Sequence, residues 1–552
     1  MSAFEKYKDQ IEKVVKALHQ RGAYHHYAEH PKAYGEDAPA KGEKDYNNQL
    51  GKPFEGLLQS GANGKVGEEK SPYTLENLGI EYPFFSVDTL TGNASRAYDE
   101  WKETPVSERA GILYESLENV KDRFFELAHA TMHTSGQGFM MSFQASGPHG
   151  NDRALESIAM GYHELSRFPE KVDYEKDMGK FQVKAEKGWR GIPKGTSLII
   201  GCSTFPAWNT VPGLYASLIT GNPSIVKPHP GAVYPIALFV AEIQRALKNY
   251  GKNPDIVQLA PDSAQDPLTK KLAEHDSVKL IDYTGNTSFG NYIESLSNKT
   301  TFTEKAGVNS VVIDSVKDLK EVMQNLSFSV CLYSGQMCTA PQNFFIPEEG
   351  VNGPDGKISY DEVVQSFTKA IQGLAGHPKM GPGTLGALQN DQTASRVDNA
   401  HKLGGKVVLE TQKLESEEYP NGRTRVPAVV ELDASQEDVY GEECFGPVAF
   451  VIKTKNTEDS LKRAKKLIQD KGAITFSAYT TDDATKRKII NEIEETFTHV
   501  SLNHVGPLWI NQNMAFTDFH LTGGNNAGTG SFGTPAFIIN RFVWVGTKEV
   551  VE

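Results

Sequence analysis

The sequence predicts an α/β protein with two doubly wound α/β domains and a small bridging β-sheet, and three observations favour this fold class. Short apolar runs alternate with helical patterns from 197 to 298 and again from 310 to 476, which is typical of parallel sheets covered by helices on both faces. Residues 181–185 alternate in polarity outside both series, which indicates a separate strand. The length of 552 residues exceeds what a single core normally supports.

The amino-terminal region predicts a helix followed by an irregular segment. Residues 4–22 place Ile11, Val14 and Leu18 on one face, as in an amphipathic helix. Residues 28–72 are rich in Gly, Pro, Lys, Glu and Asn, and this composition favours an extended arm or long loop. Helical patterns resume from residue 94, and glycines at 188 and 191 to 195 indicate turns between the first strands.

Composition excludes several classes of function. The net charge of −13 argues against an electrostatic grip on nucleic acid or an anionic membrane surface. The chain shows neither a signal peptide nor an apolar run long enough to span a membrane. Its four cysteines have no paired spacing, and no His/Cys cluster has metal-ligand spacing. We therefore expect a cytoplasmic protein with no disulfide framework, no metal, no nucleic acid partner and no membrane partner.

One cysteine lies in a setting that suits covalent catalysis. Cys338 falls in a small polar turn, Tyr333 to Thr339, between two apolar runs, and Glu304 lies 34 residues before it. A thiol that attacks a carbonyl needs small neighbours, backbone N–H groups for the oxyanion and a base for the later water step. The alternative is a buried packing cysteine, which is how we interpret Cys202, Cys331 and Cys444.

Five segments, taken in order, carry a resemblance to a known family. They are Gly201 to Asn209, Gly221 to Pro228, Tyr283 to Gly290, the pair Glu304 and Cys338, and Glu442 to Pro447. Each is weak alone, but together and at these spacings they resemble the aldehyde dehydrogenase superfamily, over residues 75 to 552. The resemblance implies the fold of that family, oxidation of an aldehyde with NAD or NADP, Cys338 as nucleophile and Glu304 as the base for hydrolysis.

The resemblance also implies a division of the chain and a set of cofactor-binding residues. The predicted parts are an N-terminal helix and extended arm at 1–74, an NAD(P)-binding domain at 75–171 and 193–305, a catalytic domain at 306–525, and bridging segments at 172–192 and 526–552, the last with a strand around Phe537 to Val551. Lys227 ends a strand, where doubly wound folds bind ligands, and the turn between Gly285 and Gly290 is expected to direct N–H groups at the pyrophosphate. The full cofactor set implied by the resemblance is Lys227, Pro228, His229, Thr284, Gly285, Asn286, Gly290, Glu443 and Phe445, the last two as a clamp on the ribose next to the nicotinamide.

The chain departs from the family pattern at the position that holds the oxyanion. Counting 23 residues back from Lys227 places Thr204 where the family has an asparagine. An alternative alignment places Asn209 there, but it requires a five-residue deletion. We favour Thr204, whose hydroxyl can donate one hydrogen bond from a shorter side chain.

A second departure concerns the choice between NAD and NADP. Residue 230 is proline, where NAD-preferring members often carry a glutamate that accepts from the 2′-hydroxyl of the adenosine ribose. Its absence removes a repulsion against a 2′-phosphate, while Lys227 and a protonated His229 could attract one. The sequence therefore predicts a preference for NADP, with NAD as the other cofactor.

The N-terminal arm and the Lys227-Pro228-His229-Pro230 variant resemble a narrower group, the aldehyde dehydrogenases of bacterial phenylacetic acid degradation. That resemblance implies a ring-opened semialdehyde as substrate, carried as a coenzyme A thioester. The predicted bridging strands resemble those that pair across dimers of the superfamily, which implies a homodimer or dimer of dimers. Two alternatives remain: a CoA-acylating aldehyde dehydrogenase, against which Glu304 argues, and a non-catalytic binding homologue, against which Cys338 and Glu304 argue together.

Overall fold

The computed structural model describes residues 2–509 and 514–551, in which helices and strands alternate along most of the chain. The helices are α1 (Ala3–Gln20), α2 (Ala38–Gln49), α3 (Val87–Glu103), α4 (Val106–Lys121), α5 (Phe124–Ser135), α6 (Phe139–Gln144), α7 (Gly150–Leu165), α8 (Pro206–Ile219), α9 (Tyr234–Asn249), α10 (Thr269–Glu274), α11 (Thr287–Ser295), α12 (Leu319–Cys331), α13 (Tyr360–Ala375), α14 (Met380–Leu385), α15 (Asp391–Asp398), α16 (Glu437–Tyr440), α17 (Thr457–Lys471), α18 (Asp483–Glu494) and α19 (Pro535–Ile539).

The strands form two large sheets and three small ones. They are β1 (Gly64–Val66), β2 (Tyr82–Phe84), β3 (Lys171–Asp177), β4 (Gln182–Pro193), β5 (Thr196–Ile200), β6 (Ser224–Lys227), β7 (Val257–Leu259), β8 (Val278–Thr284), β9 (Thr300–Glu304), β10 (Ser310–Ile313), β11 (Asn343–Pro347), β12 (Val351–Gly353), β13 (Gly356–Ile358), β14 (Lys406–Leu409), β15 (Ala428–Asp433), β16 (Val448–Thr454), β17 (Thr475–Tyr479), β18 (His499–Leu502) and β19 (Phe542–Val550).

The first large sheet is parallel, with strand order β7-β6-β5-β8-β9. Its strands are short and apolar because helices cover both faces, as the continuous burial of β5 and β6 shows. The chain moves outward from β5 to β7, then returns to place β8 on the other side of β5. Such a reversal opens a crevice at the carboxyl ends of the strands, which is where doubly wound folds bind ligands.

The second large sheet has the order β14-β15-β16-β11-β10-β17-β18. All its pairings are parallel except that of β14 with β15, at one edge. Cys338 lies in the loop that enters β11, and Glu443 in the loop that enters β16. The amino-terminal edge of this sheet therefore supplies residues to the crevice at the carboxyl edge of the first.

The third sheet is antiparallel, with the order β19-β4-β3. Its last strand begins at Phe542, so the strand predicted around Phe537 to Val551 starts later, and residues 535–539 form α19 instead. Strand β4 also passes through Gly188 and Gly191, which were expected to mark turns, because antiparallel pairing with β19 and β3 holds it, whereas Gly195 does lie in the turn between β4 and β5. The predicted fold class, two α/β domains and a small separate sheet, is confirmed.

The arm at residues 28–72 is more ordered than its composition indicates. It contains α2, which packs on α5 through Tyr46, whose ring stacks at 5.2 Å from that of His133. Gly and Asn in α2 are weak helix formers, so tertiary packing contributes more than propensity to its stability. No helix in the described ranges combines the length and the apolar composition needed to cross a membrane.

Candidate active site

The loop that presents Cys338 has an unusual backbone. Tyr333, Ser334 and Gly335 follow one another in the left-handed region, with φ of 51°, 52° and 64°. A side chain at Gly335 would place its Cβ 2.7 Å from the carbonyl oxygen of Gly446, so this position requires glycine. Left-handed backbone at two non-glycine residues costs free energy and persists only where contacts hold it, as functional sites often show. The Ser334 hydroxyl supplies one such contact by donating to the carbonyl of Leu385 at 2.9 Å.

The carboxylate of Glu304 ends β9 and is 2% exposed. Asn209, in the first turn of α8, donates from Nδ2 to Oε2 at 2.9 Å. Burial acts to raise the pKa of Glu304, but the charge and hydrogen bond of His520, with hydrogen bonds from Cys338 and Asn209, outweigh it and hold that pKa below its ordinary value. Glu304 is therefore a carboxylate at neutral pH and can act as a base.

Burial has the opposite consequence for the nucleophile. It raises the pKa of the Cys338 thiol well above its ordinary value, and the nearby charge of Glu304 raises it further. The Sγ of Cys338, a carboxylate oxygen of Glu304 and a ring nitrogen of His520 lie within 4.8 Å of one another. The structure thus brings together the two residues that the sequence singled out, and adds a third.

That third residue, His520, was missed in the sequence. It lies in the loop between β18 and α19, with Nε2 3.0 Å from Glu304 Oε1 and 3.6 Å from Cys338 Sγ. A histidine separated from the cysteine by 182 positions, with no motif around it, offers no signal by which sequence reasoning could find it.

The two candidates for the oxyanion position differ in what they contact. Thr204 lies in the loop between β5 and α8, its hydroxyl 4.0 Å from Cys202 Sγ and its carbonyl accepting from Gln137 at 2.8 Å. Asn209 already donates one N–H to Glu304. Both line the same cavity as Cys338. Cys202 also lines it, and burial raises the pKa of its thiol to about 11, so its role as a packing cysteine stays a prediction.

A cavity of about 290 Å³ lies where the two large sheets meet. Its walls contain nine of the predicted site residues: Thr204, Asn209, Thr284, Gly285, Asn286, Glu304, Cys338, Glu443 and Phe445. Thr284, Gly285 and Asn286 also line a neighbouring cavity, together with Lys227 and His229. The two cavities form one cleft that follows the carboxyl edge of the first sheet, which suits an extended dinucleotide with its reactive ring beside Cys338.

Two predicted residues lie outside these cavity walls. Gly290 sits inside α11, where a Cβ would come 2.4 Å from the Lys305 side chain, so it serves close packing. Pro228 contributes its carbonyl, which accepts from Lys227 Nζ at 2.7 Å. The N–H groups of Gly285 and Gly290 do not face a pyrophosphate, because they donate to the carbonyls of Glu304 and Asn286. These two glycines therefore use their N–H groups within the fold, and the contact between the rest of the turn and the pyrophosphate stays a prediction.

The end of the cleft at Lys227 carries less positive charge than the sequence predicts. Lys227 Nζ lies 2.6 Å from Asp262 Oδ1, and both side chains are buried. Burial, reinforced by the charge of Lys227, lowers the pKa of His229 to about 4. His229 is therefore neutral near pH 7, so the positive charge expected from it is absent, and the charge of Lys227 is already balanced by Asp262.

Glu443 and Phe445 stand on the loop before β16, facing the middle of the cleft. Burial raises the pKa of Glu443 to about 7, although a hydrogen bond from the Gly307 backbone and the charge of Arg396 oppose the shift. Glu443 is therefore partly ionised at neutral pH, and hydrogen bonds from the hydroxyl groups of a ligand favour its ionised form. This suits the predicted contact with the ribose next to the nicotinamide.

A separate cavity of about 340 Å³ approaches Cys338 from the other side. Apolar side chains dominate its lining, among them Met140, Met141, Trp208, Phe328, Leu332 and Trp509. Glu29 and His149 also line it and pair at 2.8 Å. Cys338 therefore lies between a polar cleft and an apolar cavity, as expected of a residue that joins a cofactor to an organic substrate.

Comparison with known proteins agrees with this geometry. Residues 85–543 match the model of the aldehyde dehydrogenase family, and the chain belongs to that family. A crystal structure of an NAD-dependent aldehyde dehydrogenase from Burkholderia multivorans is 40% identical over the whole of both chains, with a TM-score of 0.96.

More distant relatives differ in substrate and cofactor. D-glyceraldehyde dehydrogenase (NADP⁺) of Picrophilus torridus is 24% identical over 89% of this chain and 95% of its own length. Benzaldehyde dehydrogenase (NAD⁺) of Pseudomonas putida is 22% identical, over 88% and 94%. The protein is an NAD(P)-dependent aldehyde dehydrogenase, and the cleft beside Cys338 fits a dinucleotide.

The first prediction tests the nucleophile. Cys338→Ala should abolish aldehyde oxidation, because it removes the thiol that lies beside Glu304 and His520, while the dissociation constant for the cofactor stays within a few fold. Steady-state rates and fluorescence titration with NAD and NADP measure the two effects. Cys331→Ala is the matched control, since Cys331 is fully buried in α12, and it should keep its turnover. An active Cys338→Ala enzyme would contradict the assignment.

The second prediction separates Thr204 from Asn209. If Thr204 donates to the oxyanion, Thr204→Val should slow the first-turnover burst of reduced cofactor by up to about 10²-fold, the lower end for loss of one such donor. Asn209→Ala should instead slow steady-state turnover more than the burst, because its amide holds Glu304. Stopped-flow absorbance measures both phases. The reverse pattern would assign the oxyanion contact to Asn209.

Proposed function

We propose that the protein oxidises a ring-opened semialdehyde, carried as a coenzyme A thioester, to the carboxylic acid, as in the breakdown of phenylacetate and related aromatic compounds. The observation that carries the proposal is the apolar cavity that ends at Cys338. Its Met and Trp side chains suit the hydrocarbon skeleton left by an opened ring. The benzaldehyde dehydrogenase relative and the resemblance of the N-terminal arm to the phenylacetate group support the same class of substrate.

In this proposal each site residue has a defined task. Cys338 attacks the aldehyde carbon to give a thiohemiacetal, and its own N–H with the Thr204 hydroxyl holds the oxyanion. A bound nicotinamide supplies the hydride acceptor. Glu304 then removes a proton from the water that hydrolyses the Cys338 thioester, which its ionised state allows.

The substrate class is tested with three forms of one medium-chain semialdehyde. The end away from the aldehyde is supplied as a free carboxylate, as an N-acetylcysteamine thioester or as a CoA thioester. We expect kcat/KM to be highest for the CoA thioester, by at least about tenfold, because remote binding energy lowers the barrier of the chemical step. Equal values for the two thioesters would mean that CoA is not recognised, and a best rate with the free acid or with benzaldehyde would contradict the proposal.

Product analysis separates the alternatives. Release of the acid, with a rate independent of added free CoA, is expected because Glu304 stands ready as a base beside Cys338. Formation of a new thioester that requires free CoA would instead identify a CoA-acylating enzyme. Absence of turnover with every aldehyde would identify a binding homologue.

The cofactor preference is a further part of the proposal. The lack of a carboxylate at position 230 still favours acceptance of NADP. Asp262, in the loop between β7 and α10, nevertheless supplies a negative charge beside Lys227. Glu68 adds a second one nearby, since its charge acts on both Lys227 and Asp262, and its Oε1 accepts from the Ala264 N–H at 2.9 Å. We propose that these carboxylates reduce the preference for NADP predicted from Pro230.

The third prediction concerns these charges. Glu68→Gln should raise the ratio of kcat/KM for NADP to that for NAD several fold, because a 2′-phosphate meets less repulsion, and Pro230→Glu should lower it. Both effects should shrink at high salt, since the phosphate contact is partly exposed. Asp266→Asn is the control, an exposed carboxylate paired with Lys271. A ratio unchanged in Glu68→Gln and Pro230→Glu would show that neither position influences the choice.

We also propose a homodimer or dimer of dimers located in the cytoplasm. The three-stranded sheet supports the assembly. Val172 of β3 and Val545 of β19 are 40% and 46% exposed on this sheet, and β3 is an edge strand among the described residues. Apolar side chains along an open edge favour pairing with another chain, and light scattering in solution tests the assembly.

A further inference from the structure

His520 is held between the nucleophile and the base. Its side chain is 1% exposed, and its ring meets Trp208 edge-on with ring centres 4.7 Å apart. Phe532 contacts the same ring at 5.5 Å. The imidazole therefore has little freedom to turn, and Nε2 stays directed at both Glu304 and Cys338.

The surroundings define where the proton of this imidazole lies. Glu304 is ionised at neutral pH, so the nitrogen 3.0 Å from its oxygen must carry a hydrogen. The other nitrogen, Nδ1, is buried and has no hydrogen-bond partner among the residues that the structure describes. Nε2 is therefore the nitrogen whose hydrogen lies between Glu304 and Cys338.

The thiol requires help to become a nucleophile. The negative or ionisable groups that act on Cys338 are Glu304, Cys202 and Glu443, and all of them disfavour a thiolate. His499 is the histidine that acts on His520 from the neighbouring strand β18. His520 differs from these carboxylates because its Nε2–H lies beside Sγ and can donate a hydrogen bond to a thiolate.

We propose that His520 is a catalytic residue whose Nε2–H changes acceptor, from the Glu304 carboxylate to the Cys338 sulfur, as the thiol gives its proton to Glu304. In this step the S–H bond breaks, an O–H bond forms on Glu304, and the N–H bond of His520 stays intact. The neutral carboxyl no longer competes for that hydrogen, and the new thiolate accepts it in its place. The sulfur then attacks the aldehyde carbon.

This proposal deepens the aldehyde oxidation proposed above and rests on Cys338 being its nucleophile. It explains how a buried cysteine with carboxylates around it forms a thiolate. It also separates two roles of Glu304, which accepts the thiol proton before attack, releases that proton to solvent, and later takes one from the hydrolytic water. His520 stabilises the ionised partner at each stage, first the carboxylate and then the thiolate.

The test is the pH dependence of alkylation of Cys338 by iodoacetamide, which reports thiolate without any aldehyde present. His520→Phe keeps an aromatic ring but removes the donor. We expect its profile to move to higher pH by at least about one unit, which makes alkylation at pH 7 about tenfold slower, while the limiting rate at high pH stays within about twofold of wild type. His520→Gln, which retains an N–H donor, should recover part of the shift.

Two controls make the outcome decisive. His499→Phe changes a neighbouring histidine that does not contact Cys338, and it should leave the alkylation profile unchanged. Melting temperature and cofactor affinity show whether each variant is folded. If His520→Phe is not folded, the smaller shift of the alkylation profile expected in His520→Gln tests the role of His520. A profile that superimposes on wild type, or that moves to lower pH, overturns the role of His520. If the proposed aldehyde oxidation fails instead, iodoacetamide still labels Cys338 but the enzyme turns over no aldehyde.

Discussion

The arrangement of the site depends on the buried carboxylate of Glu304. Three separate parts of the chain meet at this group: Asn209 from α8, His520 from the loop before α19, and Cys338 from the loop before β11. An isolated buried charge would cost several kcal/mol, so the carboxylate is stable only while these donors surround it. The same hydrogen bonds hold the edge of the first sheet against the loops of the second. One electrostatic requirement therefore both joins the domains and fixes the base beside the nucleophile.

Charge is distributed along the cleft in a way that suits its separate tasks. At the chemical end, Glu304 is ionised and Cys338 is a thiol at rest, so a proton must move before attack. In the middle, Glu443 has a pKa of about 7 and gains from hydroxyl donors. At the far end, Lys227 and Asp262 form a buried pair with little net charge. Burial acts on every one of these groups, and the local partner decides which form prevails.

The sequence was sufficient for those features that a local pattern encodes. The alternation of strands and helices predicted both large sheets, and the turn around Cys338 together with Glu304 identified two groups that the structure brings together. Features that depend on burial or on distant contacts were not predictable. His520 reaches the site through tertiary packing, and the neutral state of His229 follows from the depth at which it lies. Helix α2 likewise forms because α5 offers a surface to pack against, which composition cannot show.

The N-terminal arm, which precedes the residues that match the family, reaches both ends of the reaction cleft. Glu29 lines the apolar cavity at Cys338, while Glu68 lies close enough to Lys227 to act on its pKa. Between them, Gln59 donates to and accepts from Leu259, the last residue of the edge strand β7, and so covers an edge that would otherwise be open to pairing. Glu69 accepts from the first N–H groups of α9 at 2.6 and 2.8 Å. Because these contacts tie the arm to β7 and α9, we expect changes in the arm to alter the cavities at both Cys338 and Lys227.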